Sequence, residues 1–79
     1  MRLNEAVSKR LSELLKERNM TSYGLFVKSG VHKSTIGNLI NCTYESVNLR
    51  VIHEVCQGLD IGINEFFNTP LFDEENLEP

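Results

Sequence analysis

The stretch "GVHKSTIGNLIN", Gly30 to Asn41, decides how this chain folds. Leu39 and Ile40 follow Ile36 by three and four residues, the period of an amphipathic helix. Between and before them stand Lys33, Ser34, Thr35, Gly37 and Asn38: short hydrogen-bonding side chains, one cation and one glycine. Such a segment buries one face and turns a row of donors and acceptors outward. Gly30 can take the positive φ that ends a helix. One helix is therefore expected to stop there and another to begin about three residues later, over roughly 33–40.

Working outward, Leu3, Val7, Leu11, Leu14 and Leu15 predict a first helix over about 3–18, ended by Asn19, which tolerates left-handed geometry. Thr21 can cap a short helix over roughly 22–29, with Leu25 and Phe26 facing inward. "NCTYESV", Asn41 to Val47, has no period and reads as a loop. Asn48 then caps a fourth helix whose buried stripe is Leu49, Ile52, Val55, Cys56 and Leu59, and Gly62 opens a last short one from Ile63 to Phe67. No strand pattern or repeat is visible. The fold class expected is all-α: a compact bundle of five short helices, with residues 1–68 as one domain. Residues 69–79, "TPLFDEENLEP", read as an acidic C-terminal tail that is disordered or docks on a neighbour.

The chain has 79 residues, room for one domain, and 41% apolar residues, enough for a core. Its net charge is −3, yet the charge is unevenly spread. Residues 1–33 hold seven of the eight lysines and arginines against three acidic residues, and residues 34–79 hold one cation against eight. A basic first half is what a polyanion would meet. Two cysteines outside any CxxC pair exclude a disulfide scaffold. The opening "MRLNEAVSKR" has no apolar run like a secretory leader, so a cytoplasmic location is expected.

A helix, a turn holding one glycine and a second helix make the helix-turn-helix plan, whose second helix lies in the DNA major groove. "RLSELLKERNMTSYGLFVKSGVHKSTIGNLIN" followed by "VIHEVCQGLDIGINEFF" resembles the phage-repressor and Cro-like (XRE-type) helix-turn-helix family of transcriptional regulators, over residues 3 to about 67. The resemblance implies double-stranded DNA as partner, a homodimer, no cofactor and no enzymatic activity. It implies base contacts by Lys33, Ser34 and Asn38, and phosphate contacts by Thr21, Ser22, Thr35, Asn41, Thr43 and Tyr44. Arg10, Lys28 and His32 are further candidates for the DNA backbone. The chemistry agrees: lysine donates to guanine O6/N7, asparagine both donates to and accepts from adenine, and serine can serve either base.

Some positions depart from the family pattern. Ile40 stands where a glutamate often pairs with an arginine matching Arg10, so Arg10 must find another partner, solvent or a phosphate. Phe26 replaces a small alanine and Gly24 an acidic residue. Gly37 inside the reading helix costs roughly 1 kcal/mol against alanine. His32 stands where Ser or Thr usually caps, and a looser helix start is expected. Cys42 occupies a loop position often filled by glycine.

Other function classes find less support. His53 and Cys56 are two metal-ligand types with no others in reach, short of a zinc set. His32 and Cys42 lack the orienting third group of a nucleophilic site. Two alternatives keep the scaffold: an antitoxin that adds a small protein partner through the C-terminal tail, and a protein–protein interaction module without DNA, which the net negative charge favours. Phe66, Phe67, Leu71 and Phe72 are either core closure or the apolar patch of a dimer interface.

Overall fold

In the computed structural model of the protein, which describes residues 1–78, the order of elements is α1 (Leu3–Glu17), α2 (Ser22–Ser29), α3 (Lys33–Ile40), α4 (Leu49–Leu59) and α5 (Ile63–Phe67). Two 3₁₀ turns follow, Pro70–Phe72 and Glu74–Asn76, and no strand occurs among the described residues. Each boundary has a local cause. The Arg2 backbone N–H donates to the Glu5 carboxylate at 2.8 Å, fixing the start of α1. Asn19 turns left-handed after it, with φ 52°. The Thr21 hydroxyl accepts from the Gly24 N–H at 3.0 Å, and Gly30 closes α2 with φ 75°. The Asn48 side chain accepts from the Arg50 N–H at 2.8 Å, and Asp60 ends α4 with φ 59°. His32 is no loose start: its ring Nδ1 accepts from the Ser34 N–H at 3.3 Å and so caps α3 itself.

The core is one cluster that draws on every helix. Leu11, Leu14, Leu25, Ile36, Ile52, Val55, Cys56 and Phe66 are its most deeply buried side chains. Burial pushes the Cys56 thiol up from its ordinary value, a shift that nearby Arg10 opposes and Glu65 reinforces. At neutral pH Cys56 is therefore a protonated, packed side chain and not a nucleophile.

The helix-turn-helix pair is held against α4 at one close approach. A Cβ added at Gly58 would lie 2.6 Å from Ser29 Cβ and 3.0 Å from the Ser29 Cα and N atoms. Ser29 cannot swing aside, because its hydroxyl donates to the Leu25 carbonyl at 2.6 Å and accepts from the Val31 N–H at 3.0 Å. Gly58→Ala is therefore expected to destabilise. Overpacking of this kind costs about 1–3 kcal/mol, more than the roughly 1 kcal/mol that alanine contributes inside a helix. A thermal melt checks it; an unchanged or higher Tm would mean that α2 and α4 separate freely.

Two expectations need correction. Leu3 and Leu49 are 56% and 63% exposed and do not belong to the buried stripes. Each is the first residue of its helix, where the stripe overhangs the edge of the core, and both border a surface cleft with Val47 and Phe67. The segment after Phe67 packs back on the chain's own core through Phe72. Phe72 packs edge-on against Phe67 at 4.8 Å between ring centroids, and Phe67 likewise against buried Phe66 at 5.0 Å. The Met1 ammonium donates to the Asn76 carbonyl and the Glu78 N–H donates to the Met1 carbonyl, both at 2.8 Å. The acidic segment thus folds back along the start of α1, because its own aromatic residue completes the core.

Candidate nucleic-acid interface

The turn between α2 and α3 fixes how the two helices cross. Gly30 supplies the left-handed residue, buried Val31 ties the turn to the core, and His32 caps the next helix. On α3, Ile36 and Leu39 are buried. At about 100° per residue, Ser34 and Asn41 lie opposite that buried pair, with Gly37 and Lys33 to one side and Asn38 to the other. Lys33, Ser34 and Asn41 are exposed, and Gly37 and Asn38 are half-buried. A Cβ at Gly37 would meet nothing within 4 Å, so the outer side of α3 there is open.

The side chains on this face differ in freedom. Lys33 extends over the Tyr23 ring of α2, with Nζ 5.5 Å from its centroid. The Ser34 hydroxyl is engaged by His32 Nδ1 at 2.8 Å. Thr35 and Asn38 are half-buried on the rim of a cleft of about 180 Å³ whose floor includes Leu39, Val47 and Val51. Asn38 thus lines that cleft, and it stands at the edge of the face and not at its centre.

Thr21 and Ser22 are exposed at the N-terminus of α2, and Lys28 and His32 are exposed at the two ends of the turn. The Thr21 hydroxyl is already used in capping, whereas Ser22 has no side-chain hydrogen bond among the described residues. Unpaired amides and hydroxyls at a helix start suit an anion. Beyond α3, Asn41, Thr43 and Tyr44 are all exposed on the loop, with Tyr44 at 63%.

That loop is held from α1 by two residues the sequence reading passed over. Asn4 Nδ2 donates to the Tyr44 carbonyl at 3.1 Å, and the Ser8 hydroxyl donates to the Ile40 carbonyl at 2.6 Å. Both are buried polar residues on a helix flank otherwise lined by Leu11 and Leu15. Their signal was available: polar residues four apart beside an apolar stripe must satisfy backbone groups when covered. Cys42, with φ 53°, adds an Sγ contact to the Asn4 carbonyl at 3.6 Å.

Arg10 is withdrawn from the DNA-backbone set. Its Nε donates to the Phe66 carbonyl and its Nη2 to the Glu65 carbonyl, both at 2.7 Å. Its fork satisfies carbonyls at the C-terminal end of α5, where a cation also suits the helix dipole. Ile40, in the place of the missing acidic partner, packs against the core instead. Among the described residues no cluster of three His, Cys, Asp or Glu side chains is close enough to hold a metal ion, and no helix is long and apolar enough to cross a membrane.

Comparison with known proteins agrees with this geometry. A family model described as a Cro/C1-type HTH DNA-binding domain matches residues 10–70. The fold is similar to that in the crystal structure of the prophage Lp1 protein 11, with a TM-score of 0.79 and 27% sequence identity, over 92% of this chain and 99% of that one. No curated protein matches the chain.

Proposed function

Because the chain belongs to the Cro/C1-type helix-turn-helix DNA-binding family, we propose that it regulates transcription, as a repressor, by occupying a specific duplex site as a homodimer. The family carries DNA binding itself. Reading of a specific site is supported by a single observation: α3 is locked by Ile36 and Leu39 while Lys33, Ser34 and Asn41 are exposed on the opposite face. In this reading Lys33 donates to guanine O6/N7, Asn38 pairs with the adenine edge and Ser34 serves a neighbouring base. Thr21 and Ser22 hold a phosphate at the start of α2, and Thr35, Asn41, Thr43 and Tyr44 hold the backbone beyond α3. Lys28 and His32 add contacts at the turn. Phosphate contacts set orientation; the α3 side chains set sequence.

A homodimer follows from target size. One α3 spans too few base pairs to select a site in a genome, and two related by a dyad double the site read. Their spacing on a pseudo-palindrome is about one helical turn, roughly 34 Å. The test is selection of bound duplexes from a random pool. Enrichment of an inverted repeat with half-sites about one turn apart (~10 base pairs) is expected. A lone half-site would overturn the dimer, and a pool without any consensus would favour the interaction-module alternative.

A further inference from the structure

Two aromatic residues on α2 have no part in the function so far. Tyr23 is 61% exposed, and Phe26 is half-buried and packs on the core. Their ring centroids are 6.1 Å apart with planes tilted by 51°, so the half-buried Phe26 ring backs the exposed Tyr23 ring. Over the Tyr23 ring lies the Lys33 ammonium, 5.5 Å from the centroid, within the range of a cation–π contact.

The position of Lys33 makes this contact matter. Lys33 is the first residue of α3, where the helix N-terminus carries positive partial charge and repels a cation. The first turn of α3 holds no acidic residue, and Lys33 makes no ion pair among the described residues. The electron-rich face of the Tyr23 ring is the attractive partner present. A lysine head on four methylenes is otherwise free to sweep many rotamers, and ordering it against a base costs that entropy.

We propose that Tyr23, backed by Phe26, is a positioning residue that holds the Lys33 ammonium at the groove-facing edge of α3, so that discrimination at the Lys33-contacted base pair depends on an aromatic ring on the neighbouring helix. The proposal rests on α3 being the reading helix. It makes α2 more than a phosphate clamp: an aromatic side chain there prepays the ordering of a base-reading cation. Because Tyr23 acts through Lys33, its loss weakens the selected duplex and leaves a scrambled duplex untouched.

The test uses the full chain, the tightest duplex recovered from a random pool by the unaltered protein, and a scrambled duplex of equal composition. Tyr23→Leu is expected to lower the ratio of the two affinities about two- to five-fold, the range of an exposed cation–π contact. Tyr23→Phe keeps the ring and is expected to keep the ratio. On a Lys33→Ala background Tyr23→Leu should add nothing, since contacting residues in one chain of effects are non-additive. In the DNA-free protein the Lys33 ε-methylene protons should show an upfield ring-current shift that Tyr23→Phe preserves and Tyr23→Leu abolishes. Additive effects of the two substitutions, equal weakening of both duplexes, or absence of the ring-current shift would overturn the buttress and leave α3 as the reading helix. A Lys33→Ala variant with the wild-type affinity ratio would overturn both.

Discussion

Phe66→Ala is expected to remove about 3–5 kcal/mol of folding stability, the range for deleting a fully buried phenylalanine. Phe66 is wholly buried and touches two further rings, Phe67 edge-on and Phe72 at a 38° tilt. Its backbone carbonyl is one of the two that Arg10 grips. Truncation therefore empties the point where α5, the middle of α1 at Arg10 and the C-terminal turns meet. Small domains have only about 5–15 kcal/mol in total, so a large share of the protein is expected to unfold near physiological temperature. A urea titration followed by circular dichroism measures the loss. A cost below about 1 kcal/mol would mean that Phe72 collapses into the vacated space, and that the C-terminal segment is a mobile plug.

Lys33→Ala is expected to weaken binding to the selected duplex by about 1–3 kcal/mol and to relax one base position. Lys33 is exposed, at the leading end of α3, so the fold should be unchanged. Ser22→Ala is the matched control: it removes a backbone contact and should weaken all duplexes alike, without changing preference. Binding isotherms on the selected duplex and on single-base variants separate the two. If both substitutions gave the same sequence-independent loss, α3 would not be the element that reads.

The helices were legible because their causes are local. Thr21, Gly30 and Asn48 mark their boundaries through capping and left-handed turns that depend on neighbours in sequence. The periodicity of α1 and α4 identified most of the core for the same reason. Leu3 and Leu49 were misplaced because a helical wheel does not show where the core ends. The partners of Arg10 and the path of the acidic tail depend on contacts more than fifty residues apart, to which no pattern of spacing answers. On the candidate interface, residue types and their order were readable. The half-buried state of Asn38 and the hold of Asn4 and Ser8 on the loop were not, since both arise from how α1 and the loop after α3 come together.

The arginines carry a last consequence. Arg10 is committed to α5, Arg18 Nε donates to the Leu59 carbonyl, and Arg2 pairs with Glu45. Much of the basic half's surplus is thereby turned to holding the molecule together, and the free cations on the helix-turn-helix are Lys28 and Lys33. Few condensed counterions are then released when a duplex docks. With Lys28 set against a phosphate and Lys33 against a base, log K should fall against log [salt] with a slope of only about −1 for each subunit. Grip on the double helix should persist at ionic strengths that strip more basic proteins from it.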